Sequence, residues 1–346
     1  MDASSADTQA FWRLHALDFH RSEAVLHRIG DPAVLRAAPF WDHRVAPLAI
    51  ETRHEPLQLA LTRYRVGAHS HPAGLILHNA LCGSTLMAKA LSHPGKRLVA
   101  REPKAMTDLA DFRRHGHALW QDRSARQRLM DFTLTQTGAS PVNGETAILK
   151  LTNSDTPLAA DILDAFPDMK VIFLYSGLED FLLSVMARGL QGAVFIRQLL
   201  DVLAFENEPV AKVSQKAAMK MTDLEAATLV WRSQMERTFA LAERFGPRLR
   251  TLNARDFLKD PARGAEAARC HLDPDGPPCP GAADAVYRRH SKDGQRDYSA
   301  QRRSAERSAL RDRHAGDLFR ISGWAETLKL DRRLPAHDPA PLLDAG

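Results

Sequence analysis

Three side chains that could hold a ligand stand around one glycine, in the order Cys82-Gly83-Ser84-Thr85. The strand-like apolar run GLILHNA (74–80) precedes them, and a helix-like run (84–91) begins at Ser84. Unpaired backbone N–H groups at the beginning of a helix bind phosphate and similar anions. The sequence therefore predicts an anion-binding loop. The structural alternative is a plain strand-to-helix turn in which Ser84 caps the helix.

The loop has no cation of its own. In the Walker pattern GxxxxGK[ST], the lysine reaches the phosphates and the hydroxyl binds magnesium. Gly83 and Thr85 fit the last glycine and the hydroxyl, but Ser84 stands at the lysine position and the first glycine is absent. No later strand ends in an aspartate suited to magnesium. An ordinary ATPase or kinase is therefore disfavoured.

A second stretch, KVIFLYSGLEDFLLSVMARG (170–189), has a similar organisation. A strand-like run ends near Ser176, and the helix-like run after it carries Ser184 and Arg188. Residues four apart share a helix face, so a hydroxyl and a guanidinium here could hold one phosphate together. Alternatively, Ser184 donates back to a helix carbonyl and Arg188 is solvated.

Two charged residues end other apolar runs. Glu102 follows the run RLVARE (97–102), between Arg101 and Lys104, which would keep its carboxylate ionised. The alternative for Glu102 is a carboxylate that begins the next helix. Lys150 lies in TAILKLT (146–152), and a cation in a buried strand is unusual unless it faces a site.

The elements that must position these residues alternate between strand and helix. Short apolar runs typical of buried parallel strands occur at 74–80, 97–102, 146–152, 170–176 and 249–254, and helical periodicity occurs at 84–91, 157–165, 178–188 and 223–244. This alternation predicts an α/β fold with a central, mostly parallel sheet, whose ligands bind at the carboxyl ends of the strands. We expect a helical N-terminal segment (1–70) packed on the core, an α/β core (71–275) and a helical, basic C-terminal segment (276–346) that completes the site. The Pro/Gly-rich stretch 273–282 separates the last α/β element from the basic segment.

The composition of the chain limits the kinds of partner and the compartment that we expect for the protein. The net charge of +5 is concentrated between Val286 and Arg320, a stretch that contains nine Arg and one Lys but only five Asp or Glu. Such a segment indicates an anionic ligand, nucleic acid or a solvated helix face, and its few aromatic residues disfavour nucleic acid. Three cysteines, no tight metal-ligand spacing, no signal-like N-terminus and no long apolar run predict a cytoplasmic protein without a metal or a membrane span.

In their order, these motifs resemble those of the P-loop sulfotransferases, most closely bacterial members, over about residues 72–300. The shared parts are the CGST loop after the first strand, Glu-Pro after the second, a lysine on the third, a strand–turn–helix reaching a serine, the ARDFLKDP step (254–261) and a basic Lys/Gly segment. The resemblance implies a P-loop NTPase-like three-layer sandwich. It also implies sulfuryl transfer from 3′-phosphoadenosine 5′-phosphosulfate to a hydroxyl on a small-molecule or other acceptor, without a metal.

The same resemblance implies roles for single residues. Glu102 would be the general base that takes the proton of the acceptor hydroxyl, and Lys150 would offset charge on the transferred group. The donor would be held by Cys82, Gly83, Ser84, Thr85, Ser176, Ser184, Arg188, Lys292, Gly294 and Arg296. Among these, Ser184 would hold the 3′-phosphate.

The chain also departs from the family pattern. Leu81 and Ser176 stand where phosphate-binding cations are usual, and Thr152 replaces an acceptor-site histidine. We therefore expect the missing cations to come from Lys150, Arg188 and the basic C-terminal segment. Two alternatives remain open: a non-catalytic or regulatory protein that binds a nucleotide or phosphate on this fold, and a phosphotransferase that uses ATP.

Overall fold

The computed structural model describes residues 11–64, 71–140, 142, 144–206, 210, 213, 215–288, 300–328 and 338–343, with backbone alone at 300–303 and 327. Its strands form two sheets. An antiparallel sheet contains β1 (Phe11–Asp18), β2 (Glu23–Ile29) and β3 (Ala49–Pro56), in that order. A five-stranded sheet contains β4 (Gly74–His78), β5 (Arg97–Arg101), β6 (Thr146–Lys150), β7 (Lys170–Tyr175) and β8 (Leu249–Asn253), in the order β5-β6-β4-β7-β8.

The parallel pairings of the five-stranded sheet place strand ends side by side. β5 runs parallel to β6 with Arg101 opposite Lys150, and β7 runs parallel to β8 with Tyr175 opposite Asn253. Every residue of β4 and β5 is buried, as are the four central residues of β7. Continuous burial of this kind is typical of parallel sheets. The predicted α/β class with its central sheet is confirmed.

Helices follow most strands. Those up to β7 are α1 (Pro32–Ala37), α2 (Leu57–Arg63), α3 (Ser84–Leu91), α4 (Lys104–Arg114), α5 (Ala118–Gln121), α6 (Arg123–Gly138) and α7 (Leu158–Ala165). Those after β7 are α8 (Leu178–Met186), α9 (Leu190–Ala204), α10 (Gln215–Lys220), α11 (Asp223–Phe245), α12 (Ala254–Lys259), α13 (Pro261–Leu272), α14 (Ala285–Arg288), α15 (Ala300–Arg313) and α16 (Ala315–Thr327). Short 3-10 turns lie at His43–Leu48, Asn153–Asp155 and Gly246–Arg248.

The helices and strands belong to two compact units that alternate along the chain. Unit 1 comprises Met1–Leu75, Leu91–Met169 and Arg269–Pro278. Unit 2 comprises Ile76–Ala90, Lys170–Ala268 and Cys279–Gly346.

The helical prediction for the N-terminal segment is wrong. Its described part is dominated by β1, β2 and β3, with only short helices. The hairpin between β1 and β2 has no Gly or Asn in its turn. Instead, the Asp18 carboxylate accepts hydrogen bonds from the backbone N–H groups of His20 and Arg21, and Ser22 takes a left-handed φ of 56°. The turn is therefore made by a side chain–backbone motif that leaves little signal in the sequence.

The C-terminal segment is helical where it is described, as predicted. Leu318 and Ile321 of α16 are buried in the same apolar cluster as Phe181 of α8, Leu199 of α9 and Val230 of α11. This packing fixes α15 and α16 within unit 2. None of the helices in the described part of the chain is long and apolar enough to cross a membrane.

Candidate functional site

The loop between β4 and α3 has an unusual backbone. Ala80, Leu81 and Gly83 all have positive φ, at 70°, 56° and 88°. A left-handed conformation costs a residue with a side chain about 1–3 kcal/mol, so the surroundings must impose it. They do so through hydrogen bonds from Ala80 N to His78 Nδ1 (3.0 Å) and from the Cys82 thiol to the Leu174 carbonyl (3.3 Å).

This backbone leaves donors free at the beginning of α3. The N–H groups of Leu86 and Met87 both donate to the Gly83 carbonyl, at 2.9 and 3.2 Å. Among the described residues, the N–H groups of Gly83, Ser84 and Thr85 have no acceptor, and neither do the hydroxyls of Ser84 and Thr85. Three amides and two hydroxyls at a helix N-terminus match the donor set that an anion requires. Cys82 can contribute only its backbone, because its thiol is fully buried against Leu174.

An asparagine that the sequence analysis did not single out ties this loop to the end of β7. The Asn79 side chain accepts from Ser176 N (3.1 Å) and donates to the Ser176 carbonyl (3.0 Å). The indole of Trp231 donates to the same carbonyl at 2.7 Å. Ser176 itself is buried, and its backbone is the part that makes these contacts.

Ser184 makes the local bond expected of a helical serine and also contacts a distant cation. Its hydroxyl donates to the Asp180 carbonyl at 2.7 Å. Arg307 of α15 donates to the Ser184 hydroxyl at 3.1 Å and to the Asp180 carbonyl at 2.6 Å, and lies 3.4 Å from the Asp180 carboxylate. On the next turn of α15, Arg311 pairs with Glu179. A cation from the basic C-terminal segment therefore stands beside Ser184.

Arg188 does not share a helix face with Ser184, contrary to the prediction from spacing. Helix α8 ends at Met186, and Arg188 lies exposed in the turn before Gly189, whose φ is 51°. The i,i+4 relationship holds only within a continuous helix. Lys292, Gly294 and Arg296 lie outside the described residues.

In unit 1, Glu102 and Lys150 contact each other at the ends of β5 and β6. The Lys150 ammonium donates to Glu102 Oε1, and the Glu102 backbone N donates to the Lys150 carbonyl at 2.6 Å. The Lys150 side chain is 1% exposed and the Glu102 side chain 21% exposed. Glu102 also has a positive φ, 52°. The carboxylate is thus held against a buried cation while it stays within reach of solvent.

The two cations that flank Glu102 in sequence have other partners. Arg101 donates to the Arg36 carbonyl, and burial lowers the pKa of Arg101 to about 10. Lys104 pairs with Asp108 one turn further along α4. In the structure, Lys150 contacts the Glu102 carboxylate, whose charge also acts on Arg44, and the prediction for Arg101 and Lys104 is not supported by their contacts.

Within the described ranges, no group of three or more His, Cys, Asp or Glu residues is arranged to hold a metal ion.

No protein-family model and no curated protein matches the chain. Among solved structures, it resembles a sulfotransferase from Alicyclobacillus acidocaldarius, with 19% identity over 74% of this chain and 96% of that one, and a TM-score of 0.37. It also resembles the sulfotransferase domain of the curacin biosynthetic pathway (12% identity, 78% of this chain, 95% of that one, TM-score 0.41). A third is the sulfotransferase domain of the Synechococcus PCC 7002 olefin synthase (14% identity, 79% of this chain, 94% of that one, TM-score 0.38).

All three are sulfotransferases, the family that the order of the sequence motifs resembles. With identities of 19% or less and TM-scores of 0.41 or less, these likenesses do not establish a common activity.

Proposed function

We propose that the protein transfers a sulfuryl group from 3′-phosphoadenosine 5′-phosphosulfate to a hydroxyl-bearing acceptor. The observation that carries the proposal is the contact of Arg307 with Ser184. Ser184 is the residue that the sequence resemblance assigns to the 3′-phosphate, and the usual cation eight residues before it is replaced by Ser176. Arg307 supplies a guanidinium at that hydroxyl, and such a group binds phosphate oxygens in a bidentate manner.

The loop at 80–85 would hold the phosphosulfate end of the donor. Its unpaired amides at Gly83, Ser84 and Thr85, with the two hydroxyls, can bind an oxyanion without a lysine in the loop. This donor set supports a ligand bound through amides and hydroxyls, which is consistent with Leu81 in place of a cation.

Glu102 would act as the general base. It would take the proton from the acceptor hydroxyl while that oxygen bonds to sulfur and the bond from sulfur to the bisphosphate breaks. Lys150, which contacts Glu102 Oε1, would orient the carboxylate, and it is therefore a positioning residue in this proposal. This role differs from direct stabilisation of the transferred group.

A non-catalytic protein that binds an adenine nucleotide is the second candidate. The neutral residues Leu81 and Ser176 at the two usual cation positions favour it. In that case Glu102 and Lys150 would form a structural pair only.

Calorimetric titration with 3′-phosphoadenosine 5′-phosphate, beside ADP with and without magnesium, tests the donor. We expect micromolar binding of the bisphosphate that magnesium does not change, and a loss of at least tenfold in Ser184→Ala. Thr62→Ala is the matched control, because the exposed Thr62 hydroxyl makes the same bond to a carbonyl four residues back (2.7 Å). Magnesium-dependent preference for ADP would favour a phosphotransferase. Binding of neither nucleotide would contradict the donor assignment.

Once binding is established, an assay of turnover distinguishes the transferase from the non-catalytic protein. For the transferase, we expect the sulfuryl donor to release the bisphosphate when alcohols or phenols are present. This release should be lost in Glu102→Gln. Tight binding with no release would support the non-catalytic protein.

A further inference from the structure

Arg13, on β1 in unit 1, is a buried cation for which the described residues provide no carboxylate partner. The residue is 4% exposed. One of its guanidinium nitrogens, Nη2, donates to the Thr137 carbonyl, and the guanidinium carbon lies 3.8 Å from the centre of the Trp41 ring. The other terminal nitrogen, Nη1, is buried and has no hydrogen-bond partner among the described residues. Buried charges in proteins are almost always paired, which makes this nitrogen a candidate for binding a ligand.

Arg13 lines a small cavity. The cavity is lined by Arg13, His15, His27 and the apolar side chains of Leu14, Ile29, Leu35, Trp41, Val45 and Pro103. About 10 Å³ of the cavity is free, which is close to the volume of one water molecule. The His15 and His27 rings stack on each other with their centres 3.9 Å apart.

The cavity is basic, and no carboxylate lines it. Burial lowers the pKa of Arg13 to about 9. Burial, followed by the charges of His27, Arg13 and Lys104, lowers the pKa of His15 to about 3. The carboxylate of Asp42 acts on His15 in the opposite direction, but Asp42 is already bound by Arg44, whose Nε lies 2.8 Å from Asp42 Oδ1. With the pKa values of His15 and His27 both lowered, the two imidazoles are neutral at neutral pH, and Arg13 is the charged residue among those that line the cavity.

We propose that this cavity binds a small monovalent anion, either a halide or the carboxylate end of a short carboxylic acid, through Nη1 of Arg13. The free volume is close to that of one water molecule, so sulfate and phosphate are too large for it, and a halide ion or a carboxylate oxygen whose remaining atoms lie outside this volume is the smallest anionic group that could occupy it. The charge of Arg13 selects an anion over a neutral group. The apolar walls strengthen the attraction because they keep water away from it. This proposal does not depend on sulfuryl transfer.

A single buried water is the alternative occupant. Water would satisfy the N–H of Arg13, but it would leave the charge uncompensated. The two occupants differ in one measurable respect, because only an anion makes stability depend on which anion is in the buffer.

Thermal unfolding at fixed ionic strength tests the proposal, with sodium gluconate replaced stepwise by sodium chloride in one arm and sodium formate in the other. We expect the Tm of the wild-type protein to rise by about 2–4 °C in at least one arm, and not to rise in Arg13→Met. A response to chloride alone identifies a halide site, and a response to formate alone identifies a carboxylate site.

Arg53→Met is the matched control. Arg53 also lies over a tryptophan, 4.6 Å from the ring centre of Trp12, but on the exposed part of β3. This variant should keep the anion response. Equal Tm values in gluconate, chloride and formate, or the same anion response in Arg13→Met as in the wild type, would overturn the proposal.

If Arg13→Met does not fold, the line width of ³⁵Cl in NMR spectra of the wild-type protein decides the question. Protein-dependent broadening that formate reverses and sulfate does not is expected. Absence of broadening in chloride, together with no Tm response to formate, would contradict the site.

Discussion

Lys150 and Glu102 are joined twice: the lysine ammonium contacts the glutamate carboxylate, and the glutamate N–H donates to the lysine carbonyl at 2.6 Å. Their burial is unequal, with 1% of the lysine side chain and 21% of the glutamate side chain exposed. The lysine is therefore almost fully enclosed where it contacts the glutamate, whereas the glutamate can also be hydrated. The pair holds the carboxylate in one orientation while leaving it accessible to solvent.

This unequal burial predicts unequal stability effects. Glu102→Gln removes the carboxylate that contacts the buried Lys150 ammonium and should lower the free energy of unfolding by about 3–5 kcal/mol. Lys150→Met fills the same space with an apolar chain and leaves a carboxylate that water can reach, so its loss should be within about 1 kcal/mol. Urea unfolding measures both. The double variant should resemble Lys150→Met, and a larger loss for Lys150→Met than for Glu102→Gln would contradict this description of the pair.

Gly83→Ala should weaken anion binding more than it weakens the fold. A Cβ at Gly83 (φ 88°) would meet Leu258 at 3.4 Å, an ordinary contact, so the main stability effect is the left-handed backbone, about 1–2 kcal/mol. Gly95→Ala is the control, because Gly95 has a similar φ of 74° and nothing within 4 Å. Both variants should lose similar stability, but only Gly83→Ala should lose affinity for the bisphosphate. Equal affinity in the two variants would show that the loop amides do not bind it.

Asp155 should make stability depend on pH. It is fully buried just after β6, accepts hydrogen bonds from Thr107 and Ser154 (both 3.0 Å), and burial raises its pKa to about 7. An acid whose folded pKa is raised adds no penalty at a pH well below its ordinary pKa of 3.8. The penalty grows as the pH rises toward 7 and is constant above, where it is on the order of 4 kcal/mol.

Asp155→Asn should remove this pH dependence. As the pH rises from 5 to 8, the unfolding free energy of the variant should increase relative to that of the wild-type protein by on the order of 2 kcal/mol. Asp168→Asn, at an exposed aspartate, serves as the control and should show no such gain. Denaturant unfolding at the two pH values is the measurement, and parallel stabilities of Asp155→Asn and wild type would refute the assignment.

The five strands of the parallel sheet and helix α3 could be predicted from the sequence because each is a continuous apolar or periodic run with a clear boundary. The predicted helix 84–91 and the observed Ser84–Leu91 coincide. Helix ends are less well defined: α8 ends two residues before Arg188, which removes this cation from the face of Ser184.

Two features had no readable local signal. The N-terminal hairpin depends on the Asp18 carboxylate and a left-handed Ser22, and neither residue marks a turn as strongly as Gly or Asn. The Arg307–Ser184 contact joins residues 123 positions apart, so the sequence could indicate only that the cation would come from the basic C-terminal segment. Asn79 and Trp231, which bind the Ser176 backbone, were missed because a single polar or aromatic residue near a strand end carries no pattern.

The most direct test of the central claim compares 3′-phosphoadenosine 5′-phosphate with AMP, which lacks only the 3′-phosphate, in the wild type, Arg307→Met and Arg311→Met. Arg311 is the control because it lies one turn away on α15 and pairs with Glu179 rather than with Ser184. Calorimetry should show at least a tenfold preference for the bisphosphate in the wild type and in Arg311→Met, and almost none in Arg307→Met. An unchanged preference in Arg307→Met would contradict the claim that Arg307 and Ser184 hold the 3′-phosphate of a sulfuryl donor.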